Sequence, residues 1–205
     1  DTLVFDKTGT LTKGRPEVTD FKVFEGDAIE LAGLIGKLET ASEHHLGRAV
    51  VEYAEEIADL SAYTMQQASG VKGRGIEGDI NNRSIVAGNR KMLVENGIDI
   101  PDNIEAYALE REKKGNTTVF AAVDSKITVV ISIADKIRDD AKEALETMRN
   151  NGIKHIVMLT GDNRHTAAAV AAELGIDEVH AELLPEDKVS HVKRLKEAGR
   201  IISMA

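Results

Sequence analysis

The chain is 205 residues long, with 42% apolar residues, 30% charged residues, 3% aromatic residues and a formal net charge of -9. This length can bury the core of one or two modest domains, and the composition is that of an ordinary globular protein with small aliphatic core side chains. The negative charge argues against binding to a nucleic-acid backbone, which requires clustered Lys and Arg. The absence of cysteine excludes disulfides and thiolate metal sites.

The ends of the chain have the pattern of an internal segment. No apolar stretch approaches the roughly 20 residues needed to cross a bilayer. There is no initiator Met and no signal peptide, and Asp1–Phe5 already has the pattern of a buried strand. We therefore expect an excised part of a longer polypeptide.

The first predicted element is a strand, Thr2–Phe5, which delivers Asp6 to its carboxyl end before a Lys-Thr-Gly-Thr turn. Residues 17–129 then follow a different pattern. Apolar residues at helical spacing predict helices at 27–38, 46–59 and 103–114. A glycine-rich stretch with a hairpin signal at Asn81-Asn82 follows the second helix, and two strands, 117–123 and 127–133, are predicted around Asp124-Ser125.

The last third of the chain alternates helices and strands. The predicted elements are a helix from Asp139 to about Asn151, a strand Lys154–Leu159, a helix Arg164–Leu174, a short strand near Val179, a helix from Pro185 to Gly199 and a strand Arg200–Met204. This alternation predicts a parallel sheet, which the first strand must join from across the sequence. We therefore predict an α/β fold: one domain formed by residues 1–16 and 130–205, with a separate α+β domain, 17–129, inserted into it.

The strongest chemical signal is the segment Asp6–Thr12, Asp-Lys-Thr-Gly-Thr-Leu-Thr. A carboxylate at a strand end, before a tight glycine turn with outward-facing N–H groups, can attack phosphorus and form an acyl phosphate. Phosphatases with an aspartyl nucleophile carry a second Asp two positions further on. Thr8 stands there, and a hydroxyl neither protonates a leaving group nor activates water well. The phosphoenzyme should therefore persist.

This segment resembles the phosphorylation motif of P-type ATPases, which are members of the haloacid-dehalogenase superfamily. The resemblance implies a Rossmann-like phosphorylation domain in which Asp6, Lys7 and Thr8 are catalytic, and in which Asp6 and Thr8 also bind Mg²⁺. Asp135–Arg138 resembles the family's hinge segment, at the point where the insertion returns to the sheet.

Two further motifs extend the resemblance. Thr160-Gly161-Asp162-Asn163 resembles the second family motif; this implies that Thr160 contacts the transferring phosphoryl group and that Asp162 orders Mg²⁺ and the phosphorylation loop. Lys188 matches the family lysine that offsets charge on the phosphoryl oxygens.

The inserted domain carries motifs of the heavy-metal branch. Ser42-Glu43-His44 followed by Leu46 resembles its Ser-Glu-His-Pro-Leu segment, which implies that Glu43 and His44 face the adenine of ATP. Because His45 replaces the family's proline, either histidine could face the base. Glycines at 73, 75 and 78 fit a close approach of the backbone to the nucleotide, with Gly88 and Asn89 as a further ATP-side pair; they also fit an ordinary hairpin.

The resemblance covers nearly the whole chain and implies the soluble catalytic part of a heavy-metal-transporting P-type ATPase. Asp6 would be transiently phosphorylated by ATP, with Mg²⁺, to drive metal export. The sequence around residues 158–163 and 181–188 is closer to that of zinc and cadmium pumps and slightly favours these metals over copper. The implied partners are nucleotide and the transmembrane and actuator domains of the same polypeptide, with the chain facing the cytoplasm at a prokaryotic plasma membrane.

A further family motif, Gly-Asp-Gly-x-x-Asn-Asp, would be expected directly after Ala205, and its first Asp is a Mg²⁺ ligand. We therefore expect the chain alone to bind nucleotide but to be phosphorylated poorly. Two other classes stay open: a stand-alone haloacid-dehalogenase phosphatase, and a nucleotide-sensing module that is not phosphorylated at Asp6.

Overall fold

The computed structural model describes residues 2–197 and 202–204. In chain order the elements are β1 (Thr2–Asp6), β2 (Thr12–Val23), α1 (Ala28–Glu39), α2 (His45–Ile57), β3 (Met65–Val71), β4 (Gly75–Ile80), β5 (Arg83–Gly88), α3 (Arg90–Glu95), α4 (Asp102–Lys113), β6 (Thr117–Val123), β7 (Lys126–Ile137), α5 (Ala141–Asn150), β8 (His155–Leu159), α6 (Arg164–Leu174), β9 (Glu178–His180), α7 (Pro185–Glu197) and β10 (Ile202–Met204). No helix within these described ranges is both long and apolar enough to cross a membrane.

The chain divides into two compact units. Unit 1 contains the described residues of Asp1–Arg15, Glu112–Thr117 and Asp135–Ala205, and unit 2 contains Pro16–Arg111 and Thr118–Ala134. The division into a phosphorylation domain, 1–16 with 130–205, and a nucleotide domain, 17–129, stays a prediction.

Unit 1 contains a parallel sheet in the strand order β10-β1-β8-β9. Side chains of β1 alternate between the two faces of this sheet: Leu3 and Phe5 pack in the core that includes α5 and α6, whereas Val4 packs with Val157 and Leu159 on the other side. This alternation is the two-residue period of an extended strand buried on both faces. The predicted parallel sheet, entered by the first strand from across the sequence, is confirmed.

The ends of α6 follow the predicted signals. Asn163 caps its first turn, because its side-chain oxygen accepts hydrogen bonds from the N–H groups of His165 and Thr166 at 3.0 Å each. Gly175 ends the helix in the left-handed conformation, at φ 65°. The predicted bounds Arg164–Leu174 are therefore confirmed.

Unit 2 is built around the six-stranded sheet β2-β7-β6-β5-β4-β3, in which β3 to β6 pair antiparallel. Apolar side chains of α1 and α2 pack against one face and those of α3 and α4 against the other. The hairpin between β4 and β5 turns at Asn81 and Asn82, with φ 51° and 59°, the conformation of a two-residue hairpin turn. The predicted α+β insertion is confirmed.

Three elements were not predicted: β2, β3 and α3. β2 and β3 are the first and last strands in the order of the six-stranded sheet, and their exposed, polar sequences lack a strong apolar alternation. Polar edge strands prevent pairing with other chains, so their sequences give a weak strand signal. α3 has only six residues, too few for a helical period. The predicted helix end at Gly199 and strand start at Arg200 lie outside the described residues.

The close packing of the β3–β4 pair gives a stability prediction. A Cβ on Gly78 would lie 2.2 Å from the carbonyl oxygen of Gln67 and 2.8 Å from a methyl carbon of Leu38, so Gly78→Ala should lower the free energy of unfolding by about 2 kcal/mol or more. A Cβ on Gly70, in β3, would have nothing within 4 Å, so Gly70→Ala should change it by less than about 0.5 kcal/mol. Urea unfolding measures the change in the free energy of unfolding in each variant. Equal changes in the two variants would contradict the close packing at Gly78.

Candidate active site

The ends of two neighbouring parallel strands bring the sequence motifs of unit 1 together. Asp6, the last residue of β1, pairs in register with Leu159, the last residue of β8, so Asp6 and Thr160 lie at the same edge of the sheet. Parallel α/β sheets bind ligands at this carboxyl edge. The two loops that follow β1 and β8, Lys7–Leu11 and Thr160–Asn163, therefore frame the candidate site.

The two carboxylate oxygens of Asp6 have different surroundings. The ammonium of Lys188 donates to Oδ2 at 2.7 Å, whereas Oδ1 is buried and has no hydrogen-bond partner among the described residues. A buried oxygen that still carries lone pairs and negative charge is costly to leave unpaired, so it marks a position where a ligand atom or ion can bind.

Lys188 is positioned by the start of α7. Asp187 accepts a hydrogen bond from the N–H of Leu184 at 2.9 Å, and the N–H of Lys188 donates to the carbonyl of Leu184 at 3.3 Å. The first helical turn is thereby closed. The Lys188 side chain is 22% exposed. Its ion pair with Asp6 joins two residues that are 182 positions apart in the sequence.

A second ion pair joins the two loops. The ammonium of Lys7 lies 2.5 Å from Asp162 Oδ2, and the two side chains are 7% and 13% exposed. Burial raises the pKa of Asp162, but the charge and hydrogen bond of Lys7, together with hydrogen bonds from Thr117 and Thr160, outweigh it and hold this pKa below its usual value. Asp162 therefore stays ionised at neutral pH.

The loop after Asp6 is closed by its own hydrogen bonds. Gly9 adopts φ 78°, and its N–H donates to Thr12 Oγ1 at 3.2 Å. The expectation that the amides of this turn face outward is therefore wrong at Gly9. The Thr12 hydroxyl lies 2.5 Å from Asp135 Oδ2, and the Arg15 N–H donates to Asp135 Oδ1, so the predicted hinge residue Asp135 is bound to the residues that follow this loop.

The remaining predicted residues of unit 1 have these surroundings. Thr8 is exposed, whereas Thr160 is buried at the end of β8. The Thr160 hydroxyl lies 2.9 Å from Asp162 Oδ2 and accepts from the Asp162 N–H at 3.1 Å. A Cβ on Gly161 would lie 3.3 Å from the carbonyl oxygen of Leu183, a tight contact that a shift of a few tenths of an ångström would relieve. The structure thus brings together the residues predicted for unit 1.

In unit 2, the predicted adenine-side segment lies at the start of α2. His44 is the N-cap of this helix: its Nδ1 accepts a hydrogen bond from the N–H of Leu46 at 3.2 Å. The rings of His44 and His45 stack with centroids 4.4 Å apart, and Glu43 is exposed.

The predicted glycines cluster around β4 and β5. Gly75 pairs with Gly88 across the hairpin, and the Asn89 side chain donates to the carbonyl of Gly73 at 2.9 Å while capping α3. Cβ atoms at 75 and 88 would lie 2.1 Å from Ala87 O and 2.5 Å from Arg74 O. Packing between the strands therefore already requires these glycines, and their contact with nucleotide stays a prediction.

Among the residues that sequence reasoning missed is a buried acid, Glu39. It is 7% exposed at the end of α1, and burial raises its pKa to about 7, with an opposing hydrogen bond to Ser42. A Cβ on Gly47 of α2 would lie 2.5 Å from Glu39 Oε2. Glu39 therefore lies against Ser42 and the first turn of α2. Its spacing of four residues from the buried Ile35 was the available signal, because it places a carboxyl on the apolar face of a helix.

A resident metal cluster is not a feature of the described ranges: no three His, Asp or Glu side chains there are grouped to bind a metal ion. The Asp6 carboxylate, with its buried Oδ1, nevertheless fits the way in which proteins bind Mg²⁺, through one or two carboxylates with phosphate and water as the other ligands.

Comparisons with known proteins agree with this geometry. A model of the haloacid dehalogenase-like hydrolase family matches residues 1–204. The whole chain aligns with the probable copper-exporting P-type ATPase V of Mycobacterium tuberculosis at 39% identity, and with a copper-exporting P-type ATPase of Staphylococcus aureus at 40% identity. It spans 26% and 25% of these two relatives, about a quarter of their length.

Two solved structures are similar over almost all of the chain. One is the catalytic domain of the CPx-ATPase CopB-B, studied for its changes upon nucleotide binding, with TM-score 0.73, 28% identity, and coverage of 100% of this chain and 69% of that one. The other is a zinc-transporting PIB-type ATPase, with TM-score 0.64, 33% identity, and coverage of 99% and 32%.

The family match over nearly the full length, together with the parallel sheet and the Asp6 site, shows that the chain belongs to the haloacid dehalogenase-like hydrolases. Within that family, it is the catalytic region of a heavy-metal P-type ATPase.

The raised pKa of Glu39 gives a pH-dependent prediction. Because this pKa lies above the unfolded value of about 4.3, the stabilising contribution of protonated Glu39 is complete below that value and is lost as the pH rises through about 7. Glu39→Gln should therefore gain stability relative to the native chain by roughly 2 kcal/mol between about pH 5 and pH 8. Urea unfolding at both pH values measures this difference.

The matched control is Glu43→Gln, because Glu43 is exposed in the neighbouring turn. Its stability relative to the native chain should not change with pH over the same range. A pH-independent effect of Glu39→Gln would contradict a buried carboxyl that is protonated near neutrality.

Proposed function

We propose that this chain binds ATP and accepts its γ-phosphoryl group on Asp6, as the catalytic region of a pump that exports a heavy-metal cation. The observation that supports this most strongly is the asymmetry of the Asp6 carboxylate. Oδ2 is bound to the Lys188 ammonium, and Oδ1 is buried without a partner among the described residues. Because Oδ2 is already bound, we assign the attack on phosphorus to Oδ1, which has to become accessible to the γ-phosphate when ATP binds.

In the proposed step, an Asp6 lone pair on Oδ1 forms a bond to the γ-phosphorus as the bond from that phosphorus to the β–γ bridging oxygen breaks. ADP leaves with the electron pair of the broken bond, and Asp6 becomes an aspartyl phosphate. No proton transfer is needed to activate an ionised carboxylate, so orientation and charge stabilisation are the main tasks of the site. Lys188, already at Oδ2, is placed to offset charge near the transferring group.

Lys7 has a different task in this proposal. Its ammonium is buried against Asp162, so it fixes the loop that follows Asp6 rather than acting as a mobile cation. Mg²⁺, when bound, would neutralise charge on the phosphoryl oxygens, with Asp6 and Thr8 as its proposed ligands in this chain. Thr160 and Gly161 complete the proposed phosphoryl-binding loop.

Thr8 favours a lasting phosphoenzyme over rapid hydrolysis. Its side chain is exposed two residues after Asp6 and has no carboxyl group to activate water. This supports the pump over a stand-alone phosphatase, which would release phosphate quickly from small esters. A nucleotide-sensing module would leave Asp6 unphosphorylated.

The adenine side of ATP is proposed to bind at the start of α2. Glu39 is a buried carboxyl beside Ser42, with a pKa raised to about 7, so it can support the turn that precedes α2. His44, or His45 whose ring stacks on it, would contact the base. Glu43, the glycines at 73, 75, 78 and 88, and Asn89 remain proposed nucleotide contacts.

The cargo and the partners of the chain are proposals drawn from its relatives. The curated relatives described above are named as copper exporters and one similar structure is a zinc transporter, so the slight preference for zinc and cadmium has no support. We propose transmembrane and actuator regions in the same polypeptide, in a bacterial plasma membrane with this region on the cytoplasmic side, because the chain spans about a quarter of each of those relatives.

Phosphorylation of the complete transporter polypeptide by γ-labelled ATP tests the proposal. The native protein should retain label that survives acid and is released by hydroxylamine, as an acyl phosphate is, and Asp6→Asn should retain none because an amide does not form this ester. Asp139→Asn is the matched control, since its carboxylate pairs with Lys13 at an exposed position, and it should be labelled like the native protein. Equal labelling of Asp6→Asn would contradict the assignment.

A further inference from the structure

The short segment Glu112–Thr117 belongs to unit 1, although its neighbours in sequence on both sides belong to unit 2. It joins the end of α4 to the start of β6. Two of its residues bind the loop and helix that follow β8. Thr166 donates from its hydroxyl to the carbonyl of Asn116 at 2.5 Å, with both residues buried, and Thr117 donates from its hydroxyl to Asp162 Oδ1 at 2.9 Å.

The Thr117 bond completes the coordination of the Asp162 carboxylate. Lys7 and Thr160 both bind Oδ2, at 2.5 and 2.9 Å, while Thr117 binds Oδ1. A carboxylate bound through one oxygen can still rotate about its terminal torsion, which is broad for Asp. A donor on the second oxygen fixes the plane of the group. Thr117 is the only donor that the described hydrogen bonds place on Oδ1.

The origin of the donor also matters. Thr117 lies in the Glu112–Thr117 segment of unit 1, 45 positions before Asp162, whereas Thr160 lies in the same short loop as Asp162 itself. A reference point outside the loop limits how the loop can shift.

We propose that Thr117 is a positioning residue for phosphoryl transfer: its hydroxyl holds Asp162 in the orientation that directs Lys7 and the loop after Asp6. This inference rests on the proposed phosphorylation of Asp6. Thr117 acts through Asp162 and Lys7 and does not touch the reacting atoms. Its side chain is therefore needed for the rate of phosphorylation and not for the binding of nucleotide.

Thr117→Val removes the hydroxyl but keeps the size and β-branched shape of the side chain. Labelling of Asp6 in the complete transporter polypeptide should become about tenfold slower, the scale expected for a hydrogen bond to a charged group. The dissociation constant for ATP should stay within about twofold of the native value. Thr117→Ser keeps the hydroxyl and should restore labelling to within about twofold of the native rate.

Thr2→Val is the matched control in the same unit. Thr2 is buried in β1, and its hydroxyl has no hydrogen-bond partner among the described residues, so this change should leave the labelling rate within about twofold of native. Thr117→Ala is a second hydroxyl-free variant for use if the valine variant folds poorly, and it should show the same slow labelling with unchanged ATP binding.

The carboxyl carbon of Asp162 supplies a readout that does not depend on phosphorylation. Its ¹³C NMR signal in the 205-residue chain should move in Thr117→Val and return towards the native position in Thr117→Ser. Native labelling in Thr117→Val, or equal slowing in Thr117→Ser or Thr2→Val, would overturn the proposal. If no variant and no native protein is labelled, the proposed function fails instead, and an unmoved Asp162 signal would still refute the positioning role.

Discussion

In the candidate active site, the ammonium of Lys188 neutralises one oxygen of the Asp6 carboxylate while the other oxygen lies buried without a partner among the described residues. One oxygen of this carboxylate is thereby occupied, and the other is left for a single task. Two features of unit 1 produce that arrangement. The parallel register of β1 with β8 brings Asp6 next to Thr160, and the start of α7 brings Lys188 to Asp6 from 182 positions further along the chain.

The buried pair of Lys7 and Asp162 shows how the surrounding loops are kept in place. Removing two charges from water is expensive, and such a pair adds stability only when its geometry is good and its remaining atoms are bonded. Here the carboxylate has three side-chain donors, from Lys7, Thr160 and Thr117. The pair is therefore better explained as a device that fixes the loop after Asp6 than as a source of stability. The same reasoning applies to Asp135, which binds the Thr12 hydroxyl and the Arg15 amide.

Local signals in the sequence were enough for the regular parts of the fold. The N-cap at Asn163, the left-handed Gly175 and the paired asparagines at 81 and 82 each specify a boundary through short-range hydrogen bonds or backbone conformation, and the structure has those boundaries. The edge strands β2 and β3 were not predicted, because a strand exposed on its outer side needs no apolar alternation.

In the candidate site, too, some residues could be found from the sequence and others could not. The motifs around Asp6, Thr160 and Lys188 could be found in the sequence because each is contiguous and lies at an element boundary. The bond from Thr117 to Asp162 could not, because it depends on tertiary contacts between residues 45 positions apart. Glu39 was missed for a related reason: its burial, and so its raised pKa, follows from the packing of α1 against the turn before α2.

In the proposed reaction Asp6 Oδ1 is the nucleophile and Lys188 holds Oδ2. A structure of the complete transporter polypeptide with Mg²⁺ and beryllium fluoride, a stable mimic of a bound phosphoryl group, distinguishes the two oxygens. We expect beryllium bonded to Oδ1 of Asp6, with Lys188 still donating to Oδ2. Beryllium on Oδ2 with Lys188 displaced, or no adduct on Asp6, would contradict it.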